Sequence, residues 1–413
     1  MEFSERVLEL ARQADEAIAP ALARIDEIAR KNTEKVLAAF QTHRVAEAYF
    51  AGTTGYGSDD RGREILDQVF ATTFGAEDAL VRIQMVSGTH TLICALFGVL
   101  RPGDEMISLF GPPYDTLQTA IGIVGHVTGT LLEYGIRYSQ VDPNENNEPD
   151  LPEIIRVCEE RRPRLALIQR SRGYSTRAAL SIETIRTLAE AVHQASPETV
   201  VMVDNCYGEF TDTLEPTQVG ADLMAGSLIK NPGGGIAPMG GYIAGRHDLV
   251  EGAASRLTAP GIGRDNGATL GQNRLLYQGF FLAPHTVAQA LKTAVFCAKM
   301  MELMGFETSP AWDAARSDIV QVIALGSGDA LLRFCRGIQM GSPVDSFVIP
   351  EAWPMAGYED PVVMAAGAFV SGASIELSCD GPMREPYLAY LQGGLTYESG
   401  RLGILLAAEE LLK

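Results

Sequence analysis

Lysine is scarce in this chain, and one lysine stands apart from the rest. Lys230 follows the apolar run Leu223 to Ile229 and precedes a glycine-rich turn, within "SLIKNPGGGIAPMGGYIAG", Ser227 to Gly245. The chain holds six lysines (Lys31, Lys35, Lys230, Lys292, Lys299, Lys413) against 27 arginines, and from residue 36 to residue 291 Lys230 is alone. A surface cation in such a chain would ordinarily be arginine. Arginine cannot replace lysine where the amine must lose its proton and act as a nucleophile. An incidental lysine at the end of a strand is the plainer alternative.

Three further apolar runs end in polar residues that would complement such an amine. After Val86 come Ser87, Gly88, Thr89 and His90, directly before a helical pattern. Hydroxyls and free N–H groups at a helix N-terminus bind anions, because the dipole and the orphan donors point at the ligand together. An ordinary N-cap uses the same residues. After Phe110, "GPPYDT" sets Tyr114 where an aromatic can stack on a planar ring or simply pack as a turn tyrosine. The run "TVVMVD" ends in Asp204, and a carboxylate carried to the end of a buried strand is costly unless a cation or donors face it. Such an aspartate caps a helix or meets a ligand's protonated nitrogen.

One ligand accounts for all four positions: pyridoxal 5'-phosphate. Its aldehyde needs a lysine, its ring nitrogen an acidic partner, its phosphate an N–H and hydroxyl cradle, and its ring a stacking face. Competing chemistries lack their residues. A Walker A loop needs its glycines before the lysine, "GGGIAPMGG" does not give GxGxxG after a strand, and neither HExxH nor GxSxG occurs. The six histidines show no ligand spacing, so no metal is expected.

The elements that must carry these residues follow from hydropathy periodicity. Residues 4 to about 48 pattern as helix, with a fresh start near Asn32 and Thr33. From about 64 to 245, strands are expected at Val81 to Val86, Glu105 to Phe110, Gly129 to Glu133, Arg164 to Gln169, Thr199 to Asp204, Leu223 to Ile229 and Gly241 to Ala244. Helical patterns lie between several of them, at Thr89 to Leu100, Tyr114 to Ile123, Leu151 to Arg161 and Ser181 to Gln194. This alternation predicts an α/β fold with a mostly parallel sheet covered on both faces, whose ligands bind beyond the carboxyl ends of the strands. A helix from Pro284 to Leu303 then leads to a smaller α+β unit with strands near Ile319 to Ala324, Val362 to Phe369 and Ser374 to Leu377. The expected division is 1–60, an N-terminal helical arm and interface loop; 61–280, a large cofactor-binding domain; and 281–413, a small C-terminal domain.

Composition sets outer limits. At 413 residues, 46% hydrophobic and 21% charged, the chain fits a two-domain globular protein. No run approaches the 18 apolar residues of a membrane span. A net charge of −19 and a pI near 4.8 argue against nucleic acid or anionic membrane as partners. The N-terminus lacks the basic and apolar regions of a signal peptide, which predicts a cytoplasmic location. The six cysteines form no CxxC pair and lie mostly in apolar runs, as reduced, buried thiols do.

With these residues placed, the chain resembles fold-type I pyridoxal-phosphate enzymes, most closely the family of methionine gamma-lyases and aluminium-resistance proteins, relatives of cystathionine beta-lyase. The resemblance rests on "GTTGYGSDDRGRE", "SGTHT", "GPPYDT", "QRSRGYSTR", "VDNCYGEF", "SLIKNPGGGIAPMGGYIAG" and "DGPMREPY", spread from about 50 to 390. It implies a fold-type I large domain in three layers. Lys230 would condense with the cofactor aldehyde, Asp204 would pair with the ring nitrogen, and Tyr114 would stack on the ring. Ser87, Gly88, Thr89 and Ser227 would hold the phosphate, and Tyr207 would reach the ring hydroxyl.

Such sites are completed across a dimer interface, where Tyr56 matches the neighbouring subunit's phosphate tyrosine. Relatives carry an arginine two residues later, but this chain has Ser58, which leaves Arg61 or Arg63 to substitute. Arg384 matches the arginine that grips the substrate α-carboxylate. Arg172, with Arg170, would contact cofactor or substrate, unless each lies in a solvated loop. The glycines of "NPGGG" are expected to let backbone approach a bulky ring.

The implied activity is a lyase that eliminates a thiol from a sulfur-containing amino acid, releasing ammonia and a 2-oxo acid. The implied assembly is a homodimer at least, with a homotetramer expected. The same residues serve an aminotransferase or another α-carbon lyase. A non-catalytic relative that only binds cofactor is a third possibility, disfavoured by Lys230, Asp204 and Arg384 standing together.

Overall fold

The structure, a computed structural model, describes residues 1–354 and 360–413. Its centre is a seven-stranded sheet of β1 (Asp78–Arg82), β2 (Glu105–Ser108), β3 (Arg137–Gln140), β4 (Leu165–Gln169), β5 (Val200–Asp204), β6 (Leu223–Ser227) and β7 (Gly241–Gly245). The order is β1-β7-β6-β5-β4-β2-β3, and β7 alone runs against its neighbours. β2, β4, β5, β6 and β7 are buried at every position, as strands covered on both faces must be. β5 and β6 are adjacent and parallel, so their carboxyl ends, Asp204 and Ser227, open on the same edge.

Helices α1 (Glu5–Thr42), α2 (Arg61–Phe74), α3 (Gly88–Val99), α4 (Asp115–Ile121), α5 (Leu151–Arg161), α6 (Ile182–Ala195) and α7 (His247–Leu257) belong to this part of the chain. α8 (Asn273–Leu303) leads on to α9 (Gly328–Met340), α10 (Tyr397–Leu412) and a second, antiparallel sheet. That sheet holds β8 (Glu307–Ser309), β9 (Gln321–Ala324), β10 (Ala352–Trp353), β11 (Val362–Ala366), β12 (Ser378–Pro382) and β13 (Leu388–Gln392), in the order β10-β11-β12-β13-β9-β8. All six cysteines are free and buried. Among the described residues, no helix is long and apolar enough to cross a membrane.

Four expectations are corrected. α1 does not restart at Asn32, because that residue serves a tertiary contact rather than a cap. It is fully buried, and its Nδ2 donates to the carbonyls of Phe210 and Asp212 at 3.2 and 2.9 Å. No strand forms at Gly129 to Glu133, where Leu131 and Leu132 donate back to Ala120 and Ile121 carbonyls near the end of α4; the strand follows at 137–140. α8 begins at Asn273, with Pro284 inside it, so the boundary at 280 falls within a continuous helix. Residues 374–377 turn instead of pairing. Glu376 reaches back to accept the N–H groups of Phe369 and Val370, and the strand begins at Ser378.

Candidate active site

The carboxyl edge of the sheet gathers most of the expected residues. Asp204 ends β5 with its side chain buried, and its Oδ1 accepts the Cys206 N–H at 3.1 Å. The chain then turns through Tyr207, whose φ of 72° is uncommon for an aromatic residue. That turn lays the Tyr207 ring against Lys230, whose Nζ stands 4.1 Å from the ring centroid, within reach of a cation–π contact. The Tyr207 hydroxyl is 3.0 Å from Ser374 Oγ, on the loop between β11 and β12. Its hydroxyl therefore meets a serine contributed by the C-terminal part of the chain.

The expected phosphate cradle is assembled at the start of α3. Ser87 is the N-cap, its Oγ accepting the His90 N–H at 3.1 Å. A Cβ on Gly88 would lie 3.6 Å from the Ser227 Cβ and 3.7 Å from the Cys206 Sγ, so the helix start, Cys206 and Ser227 are neighbours. Thr89 Oγ1 and the Tyr114 hydroxyl are 2.7 Å apart, and the Tyr114 N–H donates to Gln169 Oε1 at 2.6 Å. These two bonds tie the stacking candidate to the cradle and to the end of β4.

Among the described residues, Ser227 Oγ is buried without a hydrogen-bond partner. A hydroxyl left in that state is costly, and beside a helix N-terminus a phosphate would satisfy it. The residues therefore fit pyridoxal phosphate: Ser87, Gly88, Thr89 and Ser227 for the phosphate, Asp204 for the ring nitrogen, Tyr114 for the ring face and Lys230 for the aldehyde.

Electrostatics revise one expectation about the lysine. Burial works to lower the Lys230 pKa, but Cys206, Tyr207, Asp204 and Tyr114 in their anionic forms outweigh it, and the amine is held well above its ordinary value. Burial pushes the Cys206 thiol and the Tyr114 hydroxyl up. Asp204 is itself raised by burial, with Lys230 as the largest opposing influence. With only protein around it, these neighbours favour the ammonium form of Lys230, and one of them is the aspartate that the cofactor would engage.

The remaining candidates lie elsewhere. Arg384, in the turn between β12 and β13, is half exposed, 3.3 Å from Asp360 Oδ2. It also opposes the burial that raises the Asp115 carboxyl, next to Tyr114. Arg172 is buried: one guanidinium nitrogen donates to the Ser309 carbonyl and hydroxyl at 3.2 Å each, and its main-chain N–H donates to Asp318. Arg170 is fully buried against Asn205 Oδ1 at 2.8 Å and Thr211 Oγ1 at 3.1 Å, so it is not a solvated loop residue.

Tyr56 is 81% exposed, on a loop that is nonetheless tightly held. Arg63, buried beneath it, donates to the carbonyls of Gly57, Gly267 and Asp265, and Asp60 accepts from Thr53, Thr269 and Asn273. Arg63 thus builds the loop, and Arg61, 5.8 Å from the Tyr49 ring, is the arginine left near it.

The "NPGGG" glycines serve a different neighbour from the one expected. Side chains at Gly233 or Gly234 would strike the Leu228 carbonyl at 1.7 Å or the Gly279 carbonyl of α8 at 2.3 Å. They let the turn after Lys230 pack on a helix. Sequence reasoning missed Cys206, Ser374 and Gln169; of these only Gln169, a polar residue ending the apolar run "LALIQ", carried a visible signal.

Comparison with known proteins places the chain among relatives. Residues 7–412 match the profile of the family called methionine gamma-lyase. A solved carbon-sulfur lyase involved in aluminium resistance from Clostridium novyi NT is 52% identical, with 98% of this chain and 96% of that chain covered and a TM-score of 0.95. The uncharacterized protein YnbB of Bacillus subtilis (strain 168) is 45% identical over 99% of this chain and 97% of its own length. At 19% identity, the pyridoxal-5'-phosphate-dependent protein YhfS of Escherichia coli shares the fold, with a TM-score of 0.64 over 94% of this chain and 97% of that one.

Proposed function

The chain belongs to the methionine gamma-lyase family, and from that footing we propose that it is a pyridoxal-phosphate-dependent lyase that breaks a carbon–sulfur bond in a sulfur-containing amino acid. The products would be a thiol, ammonia and a 2-oxo acid, with one water consumed. The observation that carries this reading is the meeting of Lys230, Asp204 and the unpartnered Ser227 hydroxyl beyond adjacent strand ends. Bound there, pyridoxal phosphate supplies an electron sink for the pair released when a bond at the substrate α-carbon breaks.

The chain's own residues do the rest. The start of α3 and Ser227 bind the phosphate, and Tyr114 covers the ring. Asp204 keeps a proton on the ring nitrogen, so its charge is matched by that cation. The field that holds Lys230 protonated then falls. Burial, which favours the neutral amine, would then weigh more, and Lys230 would be the residue to hold the cofactor through its aldehyde and to take the α-proton. Arg384 offers a planar, permanently charged fork to the α-carboxylate. The working assembly we propose is a homodimer at least, and a homotetramer in full, with Tyr56 presented to the partner's site. Its exposure on a firmly held loop supports that role.

The test uses purified protein with pyridoxal phosphate, followed by L-methionine or L-cystathionine. A visible band absent in Lys230→Ala, with release of thiol and 2-oxo acid, is expected. Wild-type protein that stays colourless after incubation with the cofactor would sink the cofactor assignment. Amino transfer to an added 2-oxo acid without thiol release would make it an aminotransferase.

A further inference from the structure

Behind Lys230 lies a buried acid that the proposed reaction does not use. Glu209 is 0% exposed; its Oε1 accepts the Tyr242 hydroxyl at 2.8 Å, and its Oε2 has no hydrogen-bond partner. Among the described residues, no cation forms an ion pair with it. The buried Arg170 guanidinium is turned to Glu215 and Asn205 instead.

Asn231, also 0% exposed, donates its Nδ2 to the Glu209 carbonyl at 2.9 Å, and its own Oδ1 is buried without a partner. Two bare acceptors thus sit on residues already in contact. An ionised Glu209 would leave both unsatisfied and bury a charge with no ion-pair partner among the described residues; a proton on Glu209 supplies the missing donor. β6 makes room for the acid with Gly226, where a Cβ would fall 2.5 Å from Glu209 Oε1.

We infer that Glu209 is held as a neutral carboxylic acid whose O–H donates to Asn231 Oδ1, and that this bond positions Lys230, the residue before Asn231. The surrounding charges agree. Burial pushes the Glu209 carboxyl up to about 8, against its own backbone N–H, the Tyr242 hydroxyl and Lys230, while Glu215 raises it further. The acid is a positioning residue, acting on the turn that starts at Lys230, where Gly233 N–H closes on the Lys230 carbonyl at 3.2 Å.

The state of the acid does not depend on the cofactor, whereas the positioning of Lys230 rests on the function proposed above. Infrared spectra of the cofactor-free protein test the first. A carboxylic-acid C=O stretch present near neutral pH should vanish in Glu209→Gln and move to higher frequency in Asn231→Ala. No band lost in Glu209→Gln overturns the neutral acid, and a band unmoved by Asn231→Ala overturns the bond to Asn231.

The pH midpoint of the visible band of lysine-bound cofactor tests the second. Glu209→Ala should displace it by about one unit, the usual scale of a site perturbation, and Glu209→Gln should restore it. A wild-type midpoint in Glu209→Ala overturns the positioning role, and Asn231→Ala gives the same readout if that variant does not fold. A wild type that takes up no cofactor removes the positioning role together with the proposed function, and the infrared result still decides the acid.

Discussion

Replacing Ser227 with alanine should move cofactor-free stability and cofactor affinity in opposite directions. Ser227 is 1% exposed, and its hydroxyl finds no partner among the described residues. A buried hydroxyl without a bond costs about 1–3 kcal/mol. Deleting only that oxygen should therefore leave the cofactor-free chain as stable as wild type or roughly 1 kcal/mol more stable. The same deletion removes a hydrogen bond to a charged phosphate, worth about 1.5–3 kcal/mol. At 1.4 kcal/mol per decade, pyridoxal phosphate should bind roughly 10- to 150-fold more weakly.

Ser87 provides the internal contrast. Its hydroxyl already caps α3 through the His90 N–H, so Ser87→Ala should destabilise the cofactor-free protein by about 1 kcal/mol. Urea unfolding of cofactor-free samples at matched protein concentration, beside cofactor titration by visible absorbance, reads both quantities. A Ser227→Ala protein that is clearly less stable, or that binds cofactor like wild type, refutes the reasoning.

Three further outcomes are expected. Burial pushes the Asp380 carboxyl up to about 6, against bonds from Tyr174 and Gln392. Its folded pKa lies above the unfolded value, so its contribution is fully present below about pH 4 and is lost as pH rises through 6. Asp380→Asn should lack that loss and gain on wild type by on the order of 2–3 kcal/mol between pH 4 and 7, as read by urea melts; parallel pH profiles would rule this out. Asn32→Ala should cost about 1–3 kcal/mol in the same assay, because the carbonyls of Phe210 and Asp212 lose their buried donor. Arg384→Lys should raise KM about tenfold for amino acids, since a point charge replaces a fork, with little change for an amine lacking the carboxylate; an unchanged KM would remove Arg384 from the carboxylate site.

The site was legible where chemistry coincided with the end of an apolar run. Asp204 and Lys230 stand where a buried strand surfaces, and Ser87 stands where a helix begins, so hydropathy alone locates them. Cys206, Ser374 and Glu209 gave no such signal, because their roles depend on contacts with Gly88, Tyr207 and Tyr242 made only on folding. The same limit explains the misplaced elements. Asn32 has the composition of a cap, yet its partners lie 178 and 180 residues away. Glu376 sits in an apolar run that looks like a strand until its carboxylate captures two N–H groups of its own loop. The charge of Lys230 was also beyond sequence, since it depends on Asp204 being its neighbour in space.

The packing of "NPGGG" on Gly279 has a consequence for recombination between relatives. α8 is one rod of 31 residues, about 46 Å long at 1.5 Å per residue. One end braces the turn after the lysine, and the other leads into β8 and the second sheet. A crossover at residue 280, the expected domain boundary, would leave Gly279 with the turn but take Ala283 and Thr286, which also meet Gly234, from another parent. A crossover near Gly305, past the end of the helix, keeps Gly234, Gly279, Ala283 and Thr286 from a single parent, and chimeras joined there should inherit an intact lysine turn.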